Sequence, residues 1–552
     1  MRLRAASRPP LFLIATAAIT AVAIALPVTY LVIRTAGVGT EQLWNLLSRP
    51  RTLTVLFNSA GMATAVTVFS GLIAVPIAFL TAKTDLPWRR FWLITTTLPL
   101  AVPSYVGSFA LIAAFGPRGS LLQQLLEPLG VQELPEIYGW FGTILAITLF
   151  TYPYLLLSVR AGLLLIDPAT VEAARGLGYN QSSTFFRVVL PQLRPSLVAG
   201  GLLVALYALR DFGTPSLMRF DVFTRVIFQQ YRSSFNRNQA AALALILVAL
   251  VLLILWLEYK VRSRAAYYSR TSGALRRPHS VIKLGGWKFV ALLFCALVVG
   301  LSLVLPVGVT LFWLWRGMTS SSSAYGTASW SAIAQPALNS IIGAGLAAIF
   351  ATICALPVAI LAVRFPSRIT TAIERCSYIG FGLPGIAIAL SLVFFGSQYL
   401  PWLYQTLPML VFAYLVLFLP QSVGTVRSSL LQLHPQLEES ARCLGRNPWQ
   451  TLKEITLPLI SPGVLSGAIL VFLTAIKELP ATLLLAPIGF DTLATEIWKA
   501  TENVAFSDAA VGSLAMLVVS IGSSFLVLWQ EEKGTRRAGN LRTESPIEQS
   551  VP

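Results

Sequence analysis

Charge, histidine and cysteine are all in short supply in this chain. Asp, Glu, Lys and Arg make up 12% of its 552 residues, whereas hydrophobic residues make up 55%, and the mean hydropathy of +0.72 lies well above that of a soluble domain of this length. Lipid, not water, is the solvent this composition suits. Two histidines, His279 and His434, leave no material for a histidine-based metal or catalytic cluster. The four cysteines, Cys295, Cys354, Cys376 and Cys443, show neither metal-ligand nor paired spacing and are expected as free thiols. No Gly-Lys dipeptide occurs, so there is no glycine-rich loop of the Walker A kind to cradle nucleotide phosphates. No arrangement of nucleophile, base and orienter is present either. The chain is therefore read as non-catalytic, with no metal site and no cofactor.

The charge that is present has a pattern. The formal net charge is +18, but the basic residues lie between apolar runs and not on a polar domain, which points to membrane orientation instead of nucleic acid. A helix needs roughly 20 apolar residues to cross a bilayer. Twelve runs qualify, near residues 11–33, 53–81, 91–115, 141–165, 195–217, 239–258, 287–314, 338–363, 376–396, 405–430, 461–486 and 509–530. The first follows Arg2, Arg4 and Arg8 as a secretory signal would, yet its 23 residues exceed a signal core and the small pair Ala23 and Ala25 lies mid-run, so it is read as an uncleaved helix.

Between Lys260 and Lys288 stand eight basic residues and no acidic one, which places this segment, and with it both termini, in the cytosol. Loops carrying Lys83, Arg89 and Arg90, and Arg364, Arg368 and Arg375, agree. Residues 487–508 hold Asp491, Glu496, Glu502 and Asp508 against Lys499 and are placed outside. One outer loop runs against the rule, with Arg219, Arg225, Arg232 and Arg237 against Asp221; it is read as a hint of an acidic docking partner.

The chain is also a tandem repeat. A constant shift of 267 pairs Pro153 with Pro420, Arg160 with Arg427, Glu172 with Glu439, Gly178 with Gly445 and Pro191 with Pro458, and nearer the N-terminus a shift of 281 pairs Asn58, Ser59 and Pro76 with Asn339, Ser340 and Pro357. Six spans per half is an even number, so the halves share one orientation and the pathway is expected between them. The predicted fold is all-α and integral to the membrane, twelve transmembrane helices in two parallel six-helix repeats. Its parts are residues 1–259 as the first repeat, 260–286 as a basic cytosolic linker, 287–530 as the second repeat and 531–552 as a polar tail.

Each half carries one cytosolic segment of distinctive build. Asp167-Pro-Ala-Thr-Val-Glu-Ala-Ala-Arg-Gly-Leu-Gly178 is followed, after nine intervening residues, by Val188-Val-Leu-Pro191; Pro435-Gln-Leu-Glu-Glu-Ser-Ala-Arg-Cys-Leu-Gly445 is followed, again after nine, by Ile455-Thr-Leu-Pro458. Asp167 can cap free amides, proline at the first helical position has no amide to lose, and glycine closes the helix in a left-handed turn. Each segment thus encodes a helix of about ten residues, roughly 15 Å long. The plainer alternative is an amphipathic helix resting on the bilayer, which leaves the duplicated pattern unexplained.

Two charged pairs fall inside apolar runs, Arg210-Asp211 before Pro215 and Lys477-Glu478 before Pro480, again 267 apart. Charges within a membrane are costly and default to functional candidates, and the prolines are expected to break the helices. We read the pairs as a gate toward the outside, Arg210 crossing to Glu478 and Lys477 to Asp211; the simpler reading is a local ion pair holding a helix break.

The duplicated cytosolic pattern, Glu-Ala-Ala, three residues, Gly, nine residues, Ile, one residue, Leu-Pro, resembles that of the inner-membrane permeases of binding-protein-dependent ABC importers. Ser440 in place of alanine and Val188 in place of isoleucine are mild departures. The resemblance implies a type I ABC importer permease fold, MetI-like. It makes Glu172, Ala173, Ala174, Gly178 and Pro191, with Glu439, Ser440, Ala441, Gly445 and Pro458, the coupling segments that dock in a groove of the ATPase, their small residues allowing close approach. Asp211-Phe-Gly-Thr-Pro215 with Val222-Phe-Thr-Arg-Val-Ile227, and Lys477-Glu-Leu-Pro-Ala-Thr-Leu483 with Phe490-Asp-Thr-Leu-Ala494, are similar to the fused permeases of ferric-iron importers. The implied partners are two copies of a cytosolic ATP-binding subunit and a periplasmic or tethered solute-binding protein. Thiamine, sulfate, polyamine and phosphonate permeases share the coupling pattern and stand as alternatives. Fe(III) favours hard oxygen ligands, and no cluster of them is visible in the sequence. A twelve-span secondary transporter would also have two parallel halves, but it has no use for duplicated docking segments.

Overall fold

The computed structural model describes residues 9–37, 39–233, 237–263, 281–319 and 330–522. Arg2, Arg4, Arg8, His279, most of the predicted basic linker and the polar tail 531–552 lie outside the described residues. In chain order the principal helices of the N-terminal half are α1 (Leu11–Ala36), α2 (Pro50–Lys83), α3 (Arg89–Thr97), α4 (Ser104–Phe115), α5 (Trp140–Leu165), α6 (Pro168–Gly176), α7 (Arg194–Arg210), α8 (Phe223–Ser233) and α9 (Arg237–Ser263). Those that follow are α10 (Trp287–Thr319), α11 (Trp330–Arg364), α12 (Arg368–Ser377), α13 (Gly385–Tyr399), α14 (Leu407–Gln432), α15 (Pro435–Cys443), α16 (Leu457–Ala475), α17 (Pro480–Leu485) and α18 (Leu493–Glu502), and finally α19 (Phe506–Gly522).

Among the described residues there is no β-strand, only an isolated bridge between Thr84 and Ile282. A helix satisfies its own backbone, which is what a lipid solvent demands. Hydroxyls inside the apolar helices are satisfied in the same way: Thr64 donates to Ala60 O, Thr67 to Ala63 O and Thr81 to Ile77 O, each within 2.8 Å. Among the described residues eight helices are long and apolar enough to cross a membrane: α1, α2, α5, α9, α10, α11, α14, and α16 with its lead-in from Pro448; counting three bent pairs as spans brings the number to eleven, and α19 is a shorter apolar helix. Large side chains such as Phe57, Val68 and Leu72 on α2 and Ile349, Phe350 and Ile353 on α11 stand exposed, the signature of faces that meet acyl chains.

Residues 91–115 and 376–396, each read from the sequence as one run, are bent by 97° and 107°. The cause is local. Val102 and Leu383 are extended, φ −78° ψ 122° and φ −86° ψ 135°, immediately before Pro103 and Pro384, because a proline's ring clashes with a helical conformation of the residue before it.

The fold divides into two compact units. One draws on Thr35–Trp330 and Ile497–Leu514, the other on Met1–Arg34, Ser331–Glu496 and Ala515–Pro552. Each repeat's opening helix therefore belongs to the unit built by the other repeat. In the second unit α1 is fastened by Ser391 Oγ donating to Pro27 O at 2.6 Å and by Tyr30 edge-on to Phe395. In the first, α10 is held by Trp313 Nε1 donating to Ala113 O at 3.4 Å, and at its start Lys288 Nζ meets Asp85 Oδ2 at 2.8 Å. Helix α5 is the centre of the first unit and α14 of the second: 78% of the most apolar window of each is buried, against 28% for α1.

Candidate coupling surface and pathway breaks

The two short helices predicted from the repeated pattern are present, α6 and α15, nine residues each. In α6, Asp167 Oδ1 accepts from Ala169 N at 3.0 Å and Pro168 takes the first helical position. In α15 the capping role falls to His434, whose Nδ1 accepts from Gln436 N at 3.4 Å; the sequence reading named no cap there. Both helices close on a glycine in the left-handed region, Gly178 at φ 86° and Gly445 at φ 85°, where a Cβ would be strained.

The faces of these helices are also matched. Glu172 and Glu439 are exposed, as are Ala173 and Ser440, whereas Ala174 and Ala441 are buried. The small residues thus divide: one of each pair packs inward and the other faces out. Leu177 and Leu444, 81% and 85% exposed, project just past each helix and were missed by sequence reasoning, which expects leucine to point inward. These two leucines, 267 residues apart, are both bare, with nothing in their own unit covering them.

Beyond each short helix the chain enters a matched irregularity. Phe185–Val189 and Leu452–Thr456 are single wide turns of π type, 267 residues apart, with Leu190 N bonding Phe185 O and Leu457 N bonding Leu452 O. Pro191 and Pro458 come next and have no amide to continue the tighter ladder, so the prolines of the pattern mark where the wide turn is locked in. In the first repeat this region also carries a 66° bend at Leu193, between Gln181–Gln192 and α7.

The anchorage of the two short helices differs. On the second, Glu438 is clasped by Arg364 at the end of α11: Arg364 Nε lies 3.1 Å from Glu438 Oε2, Nη2 3.1 Å from Oε1, and Thr456 Oγ1 donates to Oε1 at 3.0 Å. Arg364 Nη2 also donates to Leu433 O at 3.2 Å. At the repeat-related positions the first helix has Val171, Val189 and Lys83, and the two valines join the apolar cluster of that unit. One joint is ionic, the other greasy.

The charged pairs inside the apolar runs sit at interruptions of their helices. Helix α7 ends at Arg210; Asp211 is extended, φ −66° ψ 123°, and its Oδ1 accepts from Gly213 N at 3.1 Å. Pro215 lies within the short helix Gly213–Leu217, past the interruption. In the second repeat α16 ends at Ala475, Lys477 and Glu478 occupy the gap, and Pro480 opens α17. Glu478 Oε1 accepts from Ala481 N at 3.3 Å, Thr482 Oγ1 donates to Glu478 O at 2.6 Å, and Tyr414 Oη lies 2.5 Å from Thr482 Oγ1. In each repeat, then, the carboxylate caps the segment that resumes after the gap. Glu478 is admitted by Gly385 at the start of α13, where a Cβ would come within 2.4 Å of Glu478 Oε1. Among the described residues no group of three or more His, Cys, Asp or Glu is placed to hold a metal ion.

Comparison with known proteins bears on what such an arrangement serves. Residues 74–267 and 351–533 match the family model described as a binding-protein-dependent transport system inner membrane component, one match per repeat. The chain is similar to an Fe(3+)-transport system permease protein of Haemophilus influenzae, 34% identical over 514 residues, 93% of this chain and 97% of the relative. It is also similar to a ferric transport system permease protein of Actinobacillus pleuropneumoniae, 23% identical over 499 residues, 87% of this chain and 71% of the relative. A sulfate transport system permease protein of Escherichia coli is 27% identical over 188 residues, 34% of this chain and 66% of the relative. The chain belongs to the family of binding-protein-dependent transport system inner membrane components.

Proposed function

We propose that this chain is the pathway of an importer that carries ferric iron, received from a solute-binding protein outside the membrane and driven by ATP hydrolysis on two copies of a separate cytosolic subunit. The chain is a multi-pass inner-membrane transport permease. The finer reading adds twelve crossings, two repeats of six in one orientation with the pathway between them, and both termini in the cytosol. The observation that carries it is the matched pair α6 and α15, each with an outward glutamate and an exposed leucine immediately before a left-handed glycine. A pair of identical ATP-binding subunits needs two equivalent docking points, and a bare leucine is the kind of anchor that fills a pocket on a partner. The ferric assignment rests on relatives that share most of the chain's length. Arg210 with Asp211 and Lys477 with Glu478 belong to this reading as the gate, since they stand where the helices α7 and α16 are interrupted and where a small rearrangement of the resumed segments changes the pathway.

Two measurements test it. Uptake of labelled ferric iron, sulfate and thiamine by cells with and without the gene identifies the solute; loss of iron uptake alone is expected, and unchanged iron uptake would overturn the iron assignment. Cys443 is exposed at the end of α15, so a crosslinker on this native thiol should capture the ATP-binding subunit. An impermeant maleimide should reach it only in inside-out vesicles. Labelling from the outside would overturn both the orientation and the coupling role.

A further inference from the structure

At the end of the first unit opposite α6 lies a cavity of about 580 Å³, within the range that small-molecule ligands fill. It is walled by the starts of α2 and α5 and by the segment that follows the interruption at Asp211. Four arginines line it, Arg51, Arg219, Arg225 and Arg232, against one carboxylate, Glu502. Asp221 pairs with Arg225 and lies 4.0 Å from Arg51. Four positive and two negative groups leave a surplus of two positive charges. Arg219 and Arg232 rest over the rings of Tyr138 and Phe228, at 4.9 and 5.6 Å; an aromatic face orients a guanidinium without neutralising it. Ser216, also on the wall, has a buried hydroxyl with no hydrogen-bond partner among the described residues.

The second repeat shows that the fold does not require these arginines. Its corresponding segment is held by the same bonds: Asn58 Nδ2 donates to Asp221 O as Asn339 Nδ2 does to Asp491 O, both at 2.9 Å, and Ser59 Oγ accepts from Phe223 N at 3.0 Å as Ser340 Oγ does from Leu493 N at 2.8 Å. Laid on that frame, Arg51 corresponds to Ala332, Arg219 to Gly489, Arg225 to Thr495 and Arg232 to Glu502. Gly489 has φ 80°, and Arg219 keeps the same left-handed conformation at φ 54°. A turn that takes glycine in one repeat thus carries arginine in the other, and a side chain held at a conformational cost marks a site where that side chain is used.

We propose that this cavity is an anion-binding vestibule for a small multivalent oxyanion, a carboxylate or phosphate compound, either free or already wrapped around a ferric ion. The second source rests on the iron reading above; the first does not. Chemistry favours the anion over a bare ferric ion, which would meet four guanidiniums and no cluster of hard oxygen ligands. Arginine forks match carboxylate and phosphate oxygens in pairs, and the Ser216 hydroxyl supplies a further donor.

The test is calorimetric titration of the full chain in nanodiscs of neutral phosphatidylcholine with citrate, inorganic phosphate and ferric citrate. Saturable binding is expected, weakened roughly 10-fold or more by Arg219→Gly and by Arg232→Gln, as loss of a charge-assisted bond implies. Arg219→Gly installs the residue of the other repeat and relieves a strained φ, so its unfolding temperature should equal or exceed that of the wild type, which separates lost binding from lost fold. Equal affinity for citrate with and without iron assigns the free anion; binding of the ferric complex alone assigns the chelate. No saturable binding of any of the three, or variants that bind within twofold of wild type, would overturn the proposal. Citrate binding in a protein whose deletion leaves iron uptake intact would remove the iron reading and leave the vestibule standing.

Discussion

Replacing Glu438 with alanine should loosen the short helix α15 while leaving α6 untouched. Glu438 and Arg364 keep only 11% and 14% of their side-chain surface exposed, and the carboxylate also accepts from Thr456. Removing one partner of a buried pair costs about 3–5 kcal/mol, chiefly by stranding the other charge. Because Arg364 retains its bond to Leu433 O at 3.2 Å, the lower end, about 3 kcal/mol, is expected. For a cooperative unit of this size that corresponds to a fall of roughly 6–12 °C in unfolding temperature, read by intrinsic tryptophan fluorescence in nanodiscs. Removing both charges together, in Arg364→Met with Glu438→Leu, should return the protein to within about 1 kcal/mol of wild type, since apolar replacement of a buried pair is close to neutral. The single variant should also lose solute-stimulated ATP hydrolysis in the assembled importer. A shift under 2 °C for Glu438→Ala, or one equal to that of the double variant, would refute a buried charge clasp at this joint.

Further expectations follow from single contacts. Gly178→Ala and Gly445→Ala force a side chain into φ near 85° and should each cost about 1 kcal/mol with a loss of coupling, whereas Gly176→Ala, with open space around the added carbon, should be neutral or stabilising by thermal unfolding. Gly385→Ala puts a carbon 2.4 Å from Glu478 Oε1 and should cost about 1–3 kcal/mol by displacing that carboxylate; Glu478→Asp in the same chain should rescue it, because the first repeat pairs the shorter Asp211 with Ser104 at these positions. The hydrogen bond from Lys288, then that from Leu284 N, holds the Asp85 carboxyl below its ordinary range. A depressed carboxylate stabilises above its unfolded pKa of about 4 and loses that contribution as pH falls through its lower folded value, so Asp85→Asn should match wild type at low pH and be the weaker of the two at neutral pH in thermal unfolding.

Much of the candidate coupling surface was legible in the residues because local rules govern it: a proline at the first helical position, an aspartate before it in α6 and a glycine after it act within one turn of chain. Repetition made the signal stronger still, since Gly178 and Gly445, 267 residues apart, carry the same backbone conformation. What stayed hidden depends on which side of a helix meets what. Leu177 and Leu444 drew no reading from the sequence and stand bare; Ala174 and Ala441 read as docking residues and turn inward. Residues 91–115 and 376–396 read as single spans, and the bends of 97° and 107° before Pro103 and Pro384 went unforeseen, because the angle is set by what packs on either side.

By itself, the sequence determined the solvent, the helical class, the doubling of the chain and the two capped segments, all consequences of composition, period and spacing. Only the tertiary structure decided that each repeat's opening helix joins the other unit, that one short helix is clasped by Arg364 and the other by valines, and that four arginines converge on one cavity. Apolar faces and long cationic side chains carry no address in the chain; where they end up follows from packing and charge balance summed over residues hundreds of positions apart.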